Sequence, residues 1–352
     1  MKKRLVSILL VLVMVLGMLP TVAFAADAQR ITSDTQFAGM SATGSYILGE
    51  NITITTPYLS DFKGTFDGNG HTITLNITDK TSANVGLFAS LAGGAVIKNL
   101  ITEGTVSAAG YNNVVGIAGK VSTIAGDVKI QNCKNKADVL GKLGVGGIVG
   151  YASSSSSVTY GLFIDNCGNT GAISSTNASG GRVGGIGGNL AMLTTNKVTN
   201  CFNQGAISSK SQTAGGIVGA GQNLTIENCY NTGKVDCSSG TAIVSPTGYG
   251  PVTIKNSYAL DGTSSFFFRS NDATKDDASG FEDEETMKSA AFAAKLGSGF
   301  MASANDYPAL SWETPKATKV FRVTPASATL EVYEQGEDKT VYTGTGAEHT
   351  VA

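Results

Sequence analysis

An Ile/Val-x-Asn-Cys/Ser signature returns five times along this chain, at 130–133, 164–167, 198–201, 226–229 and 254–257. Its asparagines, Asn132, Asn166, Asn200, Asn228 and Asn256, are separated by steps of 34, 34, 28 and 28, and Asn99 stands 33 residues before the first. A period of this size means structural units stacked in a row, each burying the face that its neighbour cannot bury alone.

Each unit opens on glycines around one or two branched residues, as in Gly146-Gly147-Ile148-Val149-Gly150, Gly184-Gly185-Ile186-Gly187-Gly188 and Gly215-Gly216-Ile217-Val218-Gly219. That pattern suits a short strand between tight turns. A variable polar stretch follows and absorbs the difference between 34 and 28, which places it on a loop. The next strand alternates with period two in Leu224-Thr225-Ile226-Glu227-Asn228-Cys229-Tyr230. Unbroken alternation sends Asn228 inward and Cys229 outward; a bend at the asparagine reverses this, and asparagine tolerates the left-handed backbone that such a bend requires. A turn and a third strand come next, as in Asn203-Gln204-Gly205-Ala206-Ile207 and Asn231-Thr232-Gly233-Lys234-Val235. Three strands and three turns per unit predict one coil of an all-β, right-handed parallel β-helix. The absence of proline between Pro57 and Pro246 agrees, since proline removes a ladder hydrogen bond. Six coils at ~4.8 Å each give a rod on the order of 30 Å for this region.

Stacking in register aligns Asn99, Asn132, Asn166, Asn200, Asn228 and Asn256 in one column, and Cys133, Cys167, Cys201 and Cys229 in another. The asparagines are expected to form an amide ladder rather than a ligand site. The cysteines are expected as buried thiols: none lies in a CxxC pair or beside a histidine, which argues against a metal site. If any disulfide forms, the pair Cys229 and Cys237 is the expected one.

The ends differ in character. Lys2, Lys3 and Arg4 precede an apolar run from Leu5 to Met18, and Ala23-Phe24-Ala25 supplies small residues for cleavage, so residues 1–25 read as a secretory signal peptide. Its removal changes the balance from 25 basic and 27 acidic residues to 22 and 27, a mildly acidic exported chain with no transmembrane segment. Residues 26–80 read as N-terminal strands that start the rod and shield its first coil, including the turn Asp67-Gly68-Asn69-Gly70-His71. The repeat β-helix then occupies 81–262. Residues 263–315 read as a C-terminal cap with a short helix, acidic at its start (Glu282 to Glu285) and stopped by Gly297. Residues 316–352 alternate like the beginning of an immunoglobulin-like β-sandwich, too short to complete one.

Lysine and arginine are scattered, which argues against nucleic acid as a partner. A β-helical lyase or hydrolase needs paired carboxylates or an acidic calcium cluster on neighbouring coils. Here the acids are isolated: Asp127, Asp138, Asp165, Glu227 and Asp236, with Asp165 and Glu227 sharing a repeat position that Gln131, Thr199 and Lys255 fill elsewhere. No catalytic, cofactor-binding or metal-binding residue emerges, and no cofactor is expected.

The unit at 215–235, Gly-Gly-Ile-Val-Gly and then Ile-Glu-Asn-Cys-Tyr-Asn-Thr-Gly-Lys-Val, resembles the GLUG repeat of bacterial surface proteins. The stretches from Gly64 to Leu75 and from Tyr307 to Trp312 are similar to the flanks of such repeats, so the resemblance covers roughly 45–313. It implies a β-helical stalk or binding module, as found in adhesin-like surface proteins and in non-catalytic regions of some immunoglobulin A peptidases, and it supplies no catalytic residues. The expectation is therefore a secreted or cell-surface, monomeric, adhesin-like protein that binds a glycan or an extracellular protein. The alternatives are a β-helical carbohydrate-active enzyme and a passive spacer or accessory region of a larger surface protein such as a peptidase.

Overall fold

The computed structural model describes residues 28–78, 83–123, 125–153, 160–192, 195–210, 213–246, 250–269 and 273–313, together with the backbone of four later strands, Lys319–Arg322, Thr329–Val332, Thr340–Thr343 and Glu348–Val351. The leader read at 1–25 lies outside the described residues. Among the described residues, no helix is long and apolar enough to cross a membrane.

The chain winds into a parallel β-solenoid. A coil is traced by Leu224–Glu227 on a leading face, Tyr230–Asn231 and Val235–Asp236 on a trailing face, and Val244–Pro246 on a third, glycine-rich face. The leading strands stack parallel and in register, Leu162 on Asn196 on Leu224 on Val252. The glycine face is one seven-stranded sheet running from Tyr58–Phe62 to Val244–Pro246, so six full turns separate its first and last strands. The strands Ser45–Leu48, Ile52–Ile54, Thr65–Asp67 and Thr72–Thr78 belong to the same stacks, with Tyr46 paired to Phe66 and Thr65 to Val96. The N-terminal region thus contributes coils of its own.

The corner between leading and trailing faces is made by the repeated asparagine. Asn99, Asn132, Asn166, Asn200, Asn228 and Asn256 all have φ between 41° and 56°. This left-handed residue shifts the alternation by one, so Ile226 and Cys229 both point inward with a single residue of bend between them. Ile130, Ile164, Val198, Ile226 and Ile254 form one buried column, and Ile117, Ile148, Ile186, Ile217 and Ile243 form another from the glycine face. Each such side chain contributes roughly 1.5–3 kcal/mol relative to exposure.

Aromatic residues close the N-terminal end. The helix Asp34–Ala38, capped by Ser33 accepting from the Gln36 N–H, buries Phe37 against Tyr58, Phe66 and Phe88 at ring distances of 6.1, 5.8 and 5.5 Å. This plug was not evident in the sequence, where the region reads as strands only.

The C-terminal helical segment is present but does not sit over the far end. Glu284–Met287 and Ala290–Leu296, followed by the antiparallel hairpin Phe300–Ser303 and Asp306–Leu310, lie along the flank of the coils. Met287, Phe292, Leu296, Phe300 and Leu310 cover Phe202, Tyr230 and Tyr258, a cluster separate from the main core. The physical reason is that these three aromatics occupy the same outward repeat position, which makes an apolar stripe on the side of the rod. The strap runs back along the rod: Asn256 Nδ2 donates to the Lys295 carbonyl at 2.7 Å, Tyr230 Oη to the Pro308 carbonyl, and Trp312 Nε1 to the Asn166 carbonyl at 2.9 Å, while Lys134 pairs with Glu313. The far end is formed instead by the last coil, in which Ala273–Lys275 and Gly280–Glu282 pair with the coil before and Phe267 packs on Phe281 at 5.4 Å.

The strands after 316 pair antiparallel, Lys319–Arg322 with Glu348–Val351 and Thr329–Val332 with Thr340–Thr343.

Candidate functional site

The outer asparagines stack, but their ladder is interrupted. Asn132 Nδ2 donates to Asn99 Oδ1 at 3.0 Å, Asn228 to Asn200 at 3.2 Å and Asn256 to Asn228 at 2.8 Å. Asp67 starts the series by accepting from Asn99 Nδ2 at 3.0 Å. Asn200 turns aside to Asp165 Oδ1 at 2.9 Å, and Asn166 Oδ1 has no hydrogen-bond partner among the described residues. The break falls at the coil whose Asn166 carbonyl receives the Trp312 indole. These asparagines are half-buried and shape the corner, and Asn99, Asn132, Asn228 and Asn256 donate along the stack.

A second amide ladder runs inside the rod, and the sequence reading took its residues for turn formers. Asn135 Nδ2 donates to Asn169 Oδ1 at 2.8 Å, Asn169 to Asn203 at 2.7 Å and Asn203 to Asn231 at 2.8 Å, with the Thr102 hydroxyl donating into the top of the series at 2.9 Å. All four asparagines are fully buried. Each also donates across its own turn, to the carbonyls of Ala137, Gly171, Gly205 and Gly233. Burying an amide costs several kcal/mol unless its donors and acceptors are satisfied. The ladder satisfies both.

This ladder explains the glycine pairs. A Cβ on Gly185 would stand 2.3 Å from Asn203 Cγ, one on Gly147 2.6 Å from Asn169 Oδ1, and one on Gly216 2.4 Å from Asn231 Cγ. The glycine face therefore yields the space that the interior amides fill. The signal was available as an asparagine two residues after each cysteine, matched to a glycine in the preceding block: Gly116, Gly147, Gly185 and Gly216 for Asn135, Asn169, Asn203 and Asn231.

Cys133, Cys167, Cys201 and Cys229 lie fully buried beside the left-handed corner. Each thiol reaches the carbonyl two residues back: Gln131 at 3.1 Å, Asp165 at 3.2 Å, Thr199 at 3.0 Å and Glu227 at 3.3 Å. Sulfur also accepts from the coil above, since the Cys201 N–H points to Cys229 Sγ at 3.4 Å. Ser257 substitutes its hydroxyl in both roles, accepting from the Cys229 N–H at 3.1 Å and donating to the Lys255 carbonyl at 2.7 Å. Burial pushes the Cys133 and Cys201 thiols well above their ordinary range, so they stay protonated donors. Cys229 and Cys237 are not bridged: Cys229 is committed to this column, and Cys237 sits half-buried beyond the next turn.

The acids remain apart. Register confirms that Asp67, Lys98, Gln131, Asp165, Thr199, Glu227 and Lys255 share one outward column, so opposite and neutral side chains separate the carboxylates. Asp67 pairs with Lys98 at 3.1 Å and accepts from the Asn69 N–H at 2.9 Å, while the His71 N–H closes the turn onto the Gly68 carbonyl. Asp165 accepts from the Thr199 hydroxyl at 2.6 Å. Among the described residues, no three His, Cys, Asp or Glu side chains converge in a way that could hold a metal ion.

One concavity is built into the last coils. It has a volume of about 260 Å³ and is bounded by the turn from Lys234 to Gly240 and the turn from Gly262 to Phe266. Its walls are joined by backbone bonds, Val235 N–H to Thr263 carbonyl at 2.9 Å and Ala242 N–H to Phe266 carbonyl at 2.7 Å.

No protein-family model and no curated protein matches the chain. Among solved structures, it is similar to the crystal structure of a candidate immunoglobulin A1 protease from Bacteroides ovatus, with a TM-score of 0.58 and 19% identity, over 82% of this chain and 93% of that one. At that identity the likeness shows a shared fold.

Proposed function

We propose that the chain is a GLUG-type, adhesin-like repeat protein, secreted and held at the cell surface, whose β-helix displays a binding surface for a glycan or an extracellular protein and performs no catalysis. The observation that carries this reading is the contrast between interior and exterior. The interior is fixed by a continuous amide ladder and a thiol column, whereas the outward column mixes Lys, Gln, Asp, Thr and Glu without pairing two carboxylates for chemistry. Such a body is a rigid scaffold, and solenoid proteins present binding surfaces along such scaffolds. In this reading residues 1–25 direct export, the rod is monomeric and right-handed, and the strands after 316 open an immunoglobulin-like domain.

A second reading, a non-catalytic accessory region of a larger peptidase, draws its support from the likeness in fold to the Bacteroides ovatus protein. One pair of measurements separates the readings. The exported chain is applied to printed glycans and immobilised matrix proteins, and in parallel incubated with immunoglobulin A1. Saturable binding with intact immunoglobulin supports the adhesive rod. Absence of binding on every surface favours the accessory region, and cleaved immunoglobulin refutes a non-catalytic role.

A further inference from the structure

The flanking strap reaches back only part of the way along the rod. Glu313 is tied to Lys134 and Trp312 to the Asn166 carbonyl, so the end of the strap lies beside the coils of Asn132 and Asn166. Three coil steps, to Asn200, Asn228 and Asn256, and a final partial coil lie beyond that point. At ~4.8 Å per coil, the far end stands roughly 15–20 Å past the strap's anchorage at Asn166. It is a tip, and the concavity lies on it.

Two glycines make that concavity. Gly262 has φ of 80°, a left-handed conformation that favours glycine, and a Cβ on Gly240 would stand 2.7 Å from Val235 Cγ1. On its rim Phe266 is 42% exposed, one of three exposed large apolar side chains among the described residues, with Leu59 and Tyr160. The Arg269 guanidinium stacks 4.3 Å from the Phe266 ring centroid, which fixes the ring and sets a five-donor group beside it. Ser238 and Ser265 bring exposed hydroxyls to the same rim, and Lys234 an ammonium group.

We propose that this tip concavity is a carbohydrate-binding site for one pyranose unit at the end of a glycan, with the apolar face of the sugar stacked on Phe266 and its hydroxyls met by Ser238, Ser265 and Lys234. The proposal rests on the adhesive reading above and assigns that reading a place and a ligand class. An exposed aromatic ring among hydroxyls and amines matches the two-sided chemistry of a sugar ring, apolar on its C–H face and polar at its edge. A volume of about 260 Å³ falls just below the roughly 300–1,000 Å³ of sites for drug-sized ligands, which suits a single ring rather than a chain. Backbone bonds between coils hold both walls before any ligand arrives, so little ordering cost opposes binding.

The test immobilises glucose, galactose, N-acetylglucosamine, N-acetylgalactosamine, fucose and N-acetylneuraminic acid, alongside an enzymatically deglycosylated matrix protein. The exported chain is compared with Phe266→Ala, with Ser265→Trp, which fills the concavity from an exposed position, and with Phe163→Ser on the leading face. The expected result is saturable binding to at least one sugar, weakened tenfold or more in both tip variants and unchanged in Phe163→Ser, with melting temperatures alike. Should Phe266→Ala fold poorly, Ser265→Trp decides alone. Sugar binding that survives Ser265→Trp overturns the tip site and leaves the adhesive reading standing, as does binding confined to the deglycosylated protein. Binding to nothing overturns both.

Discussion

Replacing Asn169 with alanine tests whether the interior ladder or the apolar columns alone hold the coils. The Asn169 amide accepts from Asn135 Nδ2 at 2.8 Å and donates to Asn203 Oδ1 at 2.7 Å and to the Gly171 carbonyl at 2.9 Å. Three buried bonds at about 1 kcal/mol each make ~3 kcal/mol, and Asn203 Oδ1, fully buried and deprived of its donor, adds about 1–3 kcal/mol. The expected loss is therefore about 4–6 kcal/mol, on the order of 10–20 °C in melting temperature for a domain of this size. Asn132→Gly supplies the comparison at the outer ladder. Glycine accepts the left-handed φ of 51° there, and the substitution removes one half-exposed donor bond to Asn99, so about 0.5–1.5 kcal/mol is lost. Guanidinium unfolding followed by far-ultraviolet circular dichroism reads both variants, and hydrogen exchange locates the loosened coils. If Asn169→Ala loses no more than Asn132→Gly, the ladder merely fills space and the reasoning fails.

Gly185→Ala is expected to cost about 3 kcal/mol or more in the same unfolding assay, since its Cβ would sit 2.3 Å from Asn203 Cγ and 2.5 Å from the Gly216 carbonyl, whereas Gly110→Ala, with open space around it, stays near neutral. Maleimide at neutral pH should label one thiol per native chain, Cys237, and all five in guanidinium; rapid native labelling of more than one would contradict the sealed column. The Asp276 carboxyl is disfavoured as an anion by burial, but bonds from the Ser279 hydroxyl and from the N–H groups of Asn256 and Ser279 outweigh this and hold its pKa below the usual value. A carboxyl depressed in the folded state stabilises above its ordinary pKa of ~3.9 and ceases to do so as pH falls through the folded value. Hydrogen exchange in 273–282 should therefore accelerate below about pH 4 before that of inner coils, and Asp276→Asn should abolish this step.

Local chemistry repeated at a near-constant spacing was enough for the sequence to specify the stack. The asparagine corner followed from alternation that places Ile226 and Cys229 on one side only if Asn228 bends left-handed, and the isolation of Asp165 from Glu227 followed from the residues at the same position of other coils. What the sequence could not supply was any relation between coils that depends on where a side chain finds space. Asn135, Asn169, Asn203 and Asn231 look like turn residues in one dimension; only the coil cross-section shows that the glycine opposite each one leaves a slot for its amide. Phe202, Tyr230 and Tyr258 share a repeat position, but that they form an outward stripe, and that Phe292 and Leu310 cover this stripe rather than the end of the rod, was decided by the fold. Periodicity records what each coil has in common, so it determined the rod, while the plug, the strap and the tip arise from unrepeated residues whose burial is settled by three-dimensional packing.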